Sequence, residues 1–271
     1  IVGSIAGGEA LQLGIAPDDL DVLEARIDTA LHNQADILVT LGGASVGDRD
    51  LILSTLEHRG LKRGFWKIAM RPGRPMAVGR MGATVLFGLP GNPVAVMVTF
   101  LAFVRPALLK MMGCTEPTLP LLQAVCTERL RKKPGRTEYQ RGWVDRSPQG
   151  QLQVRTTGNQ GSGVLSSMVQ GNGLIVLHHE QGDVHPGDGL GTELLGKGGE
   201  AREVREEHRH LAPFPAELEA LRVVHHVIDH LGGNVERERV AHLQEDPACQ
   251  GSSSLAAHGV VQPPRPRLSA V

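Results

Sequence analysis

A glycine-rich segment in the first half of the chain combines small residues with carboxylates. Gly42-Gly-Ala-Ser-Val-Gly-Asp-Arg-Asp50 follows a predicted buried strand and precedes a predicted helix. Glycines let a ligand approach the backbone, and N–H groups at a helix N-terminus attract anions. A carboxylate there is suited to holding Mg²⁺ against phosphate oxygens. A plain strand-to-helix turn would have a similar sequence. We interpret five residues as ligand-binding, with Asp50 as the metal ligand: Gly42, Gly43, Ser45, Gly47 and Asp50.

A basic motif follows, Lys67-Ile-Ala-Met-Arg71-Pro-Gly-Arg74-Pro75, and it surrounds a proline-glycine turn. If the strand is regular, Lys67 and Arg71 lie on one face, because side chains alternate with a period of two. Two cations on one face, with Arg74 nearby, could hold an oxyanion. A solvated edge strand also carries basic residues, and the motif alone favours that simpler interpretation.

The third motif is a stiff loop between a predicted strand and a predicted helix, Gly88-Leu-Pro-Gly-Asn-Pro93. Proline is tolerated in the first turn of a helix, which fits Pro93. Rigid, exposed backbone amides suit phosphate recognition, so Pro90, Gly91 and Asn92 are further candidate binding residues. The alternative is a connection with no binding role.

Two segments of the second half add weaker candidates. Arg136 and Arg141 flank a predicted strand, and Ser162 lies in the turn Gly158-Asn-Gln-Gly-Ser-Gly163. The arginines could add positive charge to a cleft between domains, and Ser162 could donate a hydrogen bond to an anion. Turn chemistry explains both segments equally well. No Ser-His-Asp arrangement supports a nucleophilic serine.

Neither a zinc cage nor a disulfide framework is indicated. Cys114, Cys126 and Cys249 are widely spaced, and the sequence contains no CxxC pair. His226 and His230 share a helix face, with His225 beside them, but the glutamate that a zinc hydrolase motif needs is missing. We therefore expect a reducing, cytoplasmic environment.

The overall composition does not favour partners that are recognised by bulk charge or by aromatic stacking. Twenty-eight basic and 29 acidic residues leave a formal net charge of -1, and aromatics make up 3%. Neither value favours nucleic acid. The longest apolar stretch, Val94 to Leu109, is interrupted by Arg105 and Pro106, so we predict no membrane span.

Three regions differ in their hydrophobic periodicity. Residues 1–112 alternate strands with helices, which is typical of an α/β domain. Residues 113–196 contain short predicted strands separated by turns, which favours a small β-barrel or sandwich. Residues 197–271 form an unassigned tail, in which 215–231 fit an amphipathic helix and the part after Pro247 has the composition of disorder.

The three motifs of the first region, in the order in which they occur, resemble those of the MoeA family and of the E-domain of gephyrin. The matching segments are Gly42–Asp50, Phe65–Pro75 and Leu86–Ala95, and Thr156–Gly163 with Gly173–Leu177 resembles the family's C-terminal β domain. The resemblance covers about residues 8–195. It implies a three-layer, MogA-like molybdopterin-binding α/β domain followed by a small C-terminal β-barrel domain.

The resemblance also implies a reaction, in which adenylylated molybdopterin and molybdate give molybdenum cofactor and AMP with Mg²⁺. By motif, Asp50, Asp18, Lys67 and Arg71 match catalytic positions, and Arg71 stands where the family often has lysine. Arg136, Arg141 and Ser162 match positions facing the cleft where molybdate could bind. A homodimer is implied, and the molybdopterin adenylyltransferase is a possible partner.

The resemblance has two departures. The chain starts at Ile1, after the family's first α/β strand and its acidic loop, so we expect an N-terminally truncated sheet with an exposed edge and impaired activity. The tail matches nothing that we recognise. Two alternative functions stay open: a molybdopterin adenylyltransferase-like enzyme, and a non-catalytic scaffold of the gephyrin kind.

Overall fold

The protein is described by a computed structural model over residues 8–17, 19–42, 51–115, 118–119, 121–195 and 267–270. Its strands form two six-stranded sheets. The strands are β1 (Glu9–Gln12), β2 (Ile37–Leu41), β3 (Lys62–Trp66), β4 (Met70–Arg71), β5 (Ala77–Met81), β6 (Thr84–Leu89), β7 (Leu121–Cys126), β8 (Thr137–Arg146), β9 (Leu152–Thr156), β10 (Gly173–Leu177), β11 (Gly189–Leu194) and β12 (Arg267–Ala270). The helices are α1 (Leu20–His32), α2 (Leu51–His58), α3 (Pro93–Thr99), α4 (Arg105–Met111) and α5 (Ser166–Gln170), with a π-helical turn at Phe100–Val104.

The first sheet has the order β1-β12-β2-β6-β5-β3. Strands β1, β12, β2 and β6 are parallel, whereas β5 and β3 are antiparallel to their neighbours. Strand β2 is buried on both faces: Ile37 and Val39 belong to one hydrophobic cluster, and Leu38 belongs to another. This burial explains its continuous apolar sequence, as expected for a parallel strand covered by helices on both sides.

Helices α1 and α2 cover one face of this sheet. Asp19 caps α1, because its carboxylate accepts a hydrogen bond from the Val22 amide at 3.1 Å. Leu23 and Ile27, one helical turn apart, are buried with Leu38 of β2 and with residues of α2 and β6.

The opposite face is covered by one continuous helical segment, Pro93–Met111, made of α3, the π-helical turn and α4. The π-helical turn ends just before Pro106, which has no N–H to donate to the preceding turn. By length and hydropathy this segment could cross a membrane, but 61% of its most apolar stretch is buried inside the protein. It therefore serves as the central core helix, and its buried Phe103 and Leu108 share a cluster with Tyr139 and Leu174 of the second sheet.

The second sheet closes into a five-stranded barrel. Its order is β10-β11-β7-β9-β8-β4, and an additional pairing of β10 with β8 closes the ring. The inside is apolar, with Val144, Val154, Ile175 and Leu190 among its buried residues. The three-layer α/β domain followed by a small β-barrel is thus confirmed.

One predicted strand is wrong. The strand predicted near Phe65 to Met70 is divided, because Lys67 has a left-handed backbone with φ 68° and β3 already ends at Trp66. Strand β4 belongs to the second sheet, where it pairs in parallel with β8 of the barrel, Met70 opposite Thr137. The argument that Lys67 and Arg71 share one strand face therefore does not hold.

The C-terminal part of the sequence also differs from expectation at one point. Residues 267–270, predicted to be disordered, form β12 inside the first sheet between β1 and β2. Several predictions fall outside the described residues: the helix at 215–231, the three tail histidines, and the candidate site residues Asp18, Gly43, Ser45, Gly47 and Asp50.

Candidate functional site

Two glycine-containing loops meet at the carboxyl ends of β2 and β6. These strands are parallel and aligned, with Leu41 opposite Leu89. The Gly42 amide donates a hydrogen bond to the Leu89 carbonyl at 3.0 Å, and a Cβ placed on Gly91 would lie 3.5 Å from the Gly42 Cα. Gly42 has φ +89°, which glycine adopts without strain. Ligands of open α/β sheets bind at such strand ends.

Asn92 lies in the loop after β6, and its side-chain oxygen is a hydrogen-bond acceptor that is not used by the described residues. Its Oδ1 is buried and has no hydrogen-bond partner among the described residues. Although Asn92 is the N-cap of α3, its side chain makes no capping hydrogen bond, and Pro93 occupies the first turn. Buried polar atoms are rarely left unpaired, so this oxygen is available for a ligand N–H or O–H.

A second site lies where β4 meets the barrel, and we call it the arginine pocket. The cavity measures about 340 Å³. Four arginines and two glutamates line it, so its charge is positive. The lining residues are Arg71, Pro72, Glu128, Arg129, Leu130, Arg131, Glu138, Tyr139, Gln140, Arg141, Thr156, Gly158 and Gln160.

Arg141 is the most buried charge of the arginine pocket, with 1% of its surface exposed. Its Nε donates to Ser167 Oγ at 2.9 Å, and its Nη2 donates to the Gly161 carbonyl at 3.1 Å. Within the described residues it has no carboxylate partner. Burial, and secondarily the charge of Arg71, lowers the pKa of Arg141. A buried guanidinium held only by neutral groups retains a strong preference for an anion.

The two glutamates compensate the arginines only in part. Glu138 Oε1 lies 3.9 Å from Arg71 Nη1, at the outer limit of an ion pair, and Arg71 remains largely exposed. Glu128 is occupied by Thr156, whose backbone N–H and hydroxyl both donate to it at 2.6 Å. Arg129 is paired with Asp183 at 2.8 Å, so the positive potential suited to an oxyanion comes from the remaining arginines of the arginine pocket.

The structure separates the candidates that the sequence grouped together. Arg71 and Arg141 line the arginine pocket, whereas Gly42, Pro90, Gly91, Asn92 and Pro93 belong to the two loops at the strand ends. Four other candidates are exposed and do not line the arginine pocket: Lys67, Arg74, Arg136 and Ser162.

Sequence reasoning missed the groups that hold Arg141. Ser167 lies on the short helix α5, outside every motif described above, whereas Gln160 lies in the turn Gly158–Gly163 but was not a candidate. Gln160 fixes the backbone of Arg141 through both of its groups, with Oε1 accepting at 2.8 Å and Nε2 donating at 3.1 Å. The nearest signal in the sequence was the Gly158–Gly163 turn, which was chosen for Ser162 instead.

The described residues contain no group of three or more histidine, cysteine, aspartate or glutamate side chains that could hold a metal ion. A hard cation such as Mg²⁺ is often held by one or two carboxylates together with substrate phosphates. Asp50, directly before α2, is the carboxylate that the sequence offers at the strand ends, and it lies outside the described residues.

Two family models match the chain in consecutive segments. Residues 4–110 match a probable molybdopterin binding domain, and residues 123–194 match the MoeA C-terminal region, domain IV. The first family model therefore matches the α/β domain, and the second matches the barrel. The chain belongs to the MoeA family over these residues.

Curated relatives agree with this membership. The molybdopterin molybdenumtransferase of Haemophilus influenzae is 39% identical over 68% of this chain and 46% of its own length. Gephyrin of Dictyostelium discoideum is 32% identical over 68% of this chain and 29% of its own length. The chain thus spans less than half the length of each of these two relatives.

Solved structures share the fold. A molybdenum cofactor biosynthesis protein from Pyrococcus furiosus superposes with a TM-score of 0.54 and 25% identity, covering 72% of this chain and 62% of its own. The molybdopterin biosynthesis MoeA protein of Pyrococcus horikoshii OT3 superposes with a TM-score of 0.52 over 67% of this chain and 41% of its own; at 24% identity it supports the fold alone.

Proposed function

We propose that the protein acts in molybdenum cofactor biosynthesis as a molybdopterin molybdenumtransferase, which inserts molybdenum from molybdate into adenylylated molybdopterin and releases AMP. The observation that carries this proposal is Arg141, a buried guanidinium that faces a cavity beside Arg71 and is held by neutral groups. Molybdate is a tetrahedral oxyanion, and a guanidinium presents its donors in a planar fork suited to oxyanions.

The loops at the ends of β2 and β6 are proposed to bind the adenylylated pterin. Gly42 and Gly91 allow close approach of a phosphate to the backbone, and the free Asn92 oxygen can accept a hydrogen bond from a pterin or adenine N–H. A helix begins directly after each loop, so the helix dipoles favour the phosphates. Gly43, Ser45 and Gly47 would extend this site.

Asp50 is proposed to hold Mg²⁺ against the phosphates of the substrate. Magnesium would supply charge neutralisation of the phosphate oxygens. Asp18, Lys67 and Arg71 are proposed to assist catalysis, and Arg74, Arg136 and Ser162 are proposed to bind substrate by charge or hydrogen bonding. Catalysis of this kind depends on positioning and on charge stabilisation.

Calorimetry with AMP and Mg²⁺ tests the nucleotide half of the proposal. The intact chain should bind AMP, and Asp50→Ala should weaken this binding about tenfold, as expected for loss of one charged contact. Asp145→Ala, which changes an exposed carboxylate on the barrel, serves as the control and should bind like the unchanged chain. Equal binding by both variants would remove Asp50 from the site.

Calorimetry with molybdate tests the arginine pocket. Arg141→Met should weaken molybdate binding by about tenfold or more, because the buried donor fork is lost. Arg146→Met changes an arginine of the same strand that does not line the arginine pocket, and it should have no effect. A chain that binds neither AMP nor molybdate would favour the scaffold instead.

The adenylyltransferase alternative is disfavoured, because that class has no trailing β domain whereas this chain has a closed barrel. A cytoplasmic homodimer that exchanges substrate with a molybdopterin adenylyltransferase is part of the proposal. Light scattering tests the dimer. The expected impairment of activity stays a prediction, and full cofactor formation by the isolated chain would contradict it.

A further inference from the structure

Strand β12 occupies an inner position of the first sheet although it comes from the C-terminal segment of the sequence. It pairs in parallel with β1 from Glu9↔Arg267 to Gln12↔Ala270. On its other side it pairs in parallel with β2 from Leu268↔Ile37 to Ala270↔Val39. The two registers agree, so one four-residue segment bridges two strands of the α/β domain.

The neighbours of β12 depend on it for their pairing. Adjacent strands lie about 4.8 Å apart, so β1 and β2 are separated by roughly 10 Å and cannot pair with each other. Within the described residues, β1 pairs with β12 and with no other strand. Without β12, β2 would expose one row of backbone donors and acceptors, although its Ile37 and Leu38 are fully buried. An open edge on a core strand is unfavourable.

The sequence around β12 fits a strand that enters from outside the domain. Three prolines, Pro263, Pro264 and Pro266, precede it and favour an extended backbone. Proline lacks the N–H that a strand ladder uses, so proline is uncommon inside a central strand. The strand therefore begins at Arg267, which is the first residue in register with β1.

We propose that residues 267–270 are a built-in strand donor, and that the slot between β1 and β2 is an acceptor site for a parallel strand. The occupant is the C-terminal segment of the same molecule. Completion of the α/β sheet is thus coupled to the C-terminal segment. A competing peptide with the same sequence would enter the same slot by main-chain hydrogen bonding. This inference is independent of the proposed enzymatic activity.

Hydrogen exchange of the full chain with two matched substitutions tests the proposal. Ser269→Pro removes a ladder donor within β12, whereas Ser253→Pro makes the same change outside it. We expect amides of β1 and β2 to exchange on the order of tenfold or more faster in Ser269→Pro and to be unchanged in Ser253→Pro. The amides of β10 in the barrel should not change in either variant. Equal exchange of β1 and β2 in both variants would overturn the proposal.

A synthetic peptide and the molecular mass complete the test. If Ser269→Pro also loosens the barrel, a peptide of residues 262–271 added to that variant should restore slow exchange in β2; failure to restore it would overturn the proposal. Light scattering of the unchanged chain identifies the source of the strand. A dimer that dissociates on Ser269→Pro substitution would mean that a second copy donates β12, and that result would also overturn the proposal.

Discussion

The Nε of Arg141 donates to the Oγ of Ser167 at 2.9 Å, and both side chains are 1% exposed. Ser167 Oγ in turn donates to the Val164 carbonyl at 2.6 Å. Helix α5 therefore orients the guanidinium of Arg141, on barrel strand β8, through the hydroxyl of Ser167. The arrangement fixes the guanidinium plane before any anion arrives, which reduces the entropy lost on binding.

Removal of this hydroxyl should destabilise the protein. In Ser167→Ala the buried Arg141 Nε loses its partner, and we expect a loss of about 1 to 2 kcal/mol in the free energy of unfolding. Ser166→Ala, one residue earlier and exposed, should change it by less than about 0.5 kcal/mol. Urea unfolding of the two variants measures the difference, and equal losses would show that the hydroxyl of Ser167 has no special role.

Stability should depend on pH through Glu193, which lies buried in β11. Burial raises the pKa of Glu193 to about 7 from its ordinary 4.5, and the charge of Arg105 opposes this only in part. The folded state thus binds a proton more tightly than the unfolded state. The stabilisation that protonated Glu193 contributes is complete below about pH 4.5 and is lost as the pH rises through about 7.

Glu193→Gln should remove this dependence, because the amide stays neutral. The shift corresponds to roughly 3 kcal/mol. Unfolding by denaturant at pH 4.5 and pH 8 should show the Gln variant close to the unchanged chain at the lower pH and more stable at the higher pH. A Gln variant that is less stable at pH 8 would mean that an ion pair with Arg105 outweighs the burial of Glu193.

Gly73 should tolerate no side chain. It has φ +106°, and a Cβ there would lie 2.4 Å from the Thr99 Cγ2 on α3. We expect Gly73→Ala to cost about 2 to 4 kcal/mol, combining backbone strain and overpacking. Gly82→Ala, at φ +59° with nothing within 4 Å of the new Cβ, should cost about 1 kcal/mol through strain alone.

The clash at Gly73 can be tested separately from the strain. Thr99→Ser removes Cγ2 but keeps the hydroxyl that donates to the Ala95 carbonyl at 2.7 Å. Thermal unfolding of Gly73→Ala, Thr99→Ser and the double variant gives a coupling energy. We expect the double variant to recover part of the loss; simple additivity would mean that backbone strain accounts for the whole cost.

Asn92→Ala should separate binding from stability. The Asn92 oxygen is buried without a described partner and makes no capping hydrogen bond to α3, so its removal should change the free energy of unfolding by less than about 1 kcal/mol. The same variant should bind AMP more weakly in calorimetry. A large loss of stability with unchanged AMP binding would assign Asn92 a structural role.

Local sequence was sufficient for the elements whose signals are local. Asp19 and the apolar positions Leu23 and Ile27 are local signals for α1, because a cap and a 3.6-residue period lie within one helix. The continuous apolar run of β2 and the turn-separated strands of the barrel were predicted in the same way. The order of the motifs was enough to indicate the family, which the comparisons confirmed.

Long-range contacts decided the rest. Lys67 and Arg71 are separated because β4 pairs with β8. In this pairing Met70 lies opposite Thr137, which is 67 positions later in the chain, and no periodicity near Lys67 predicts such a contact. The partnership of Arg141 with Ser167 joins a strand to a helix across 26 residues. The insertion of β12 between β1 and β2 is the most distant case. A four-residue strand carries too little local pattern to be predicted, and its place is determined by the vacant hydrogen-bonding edges of strands more than two hundred residues away.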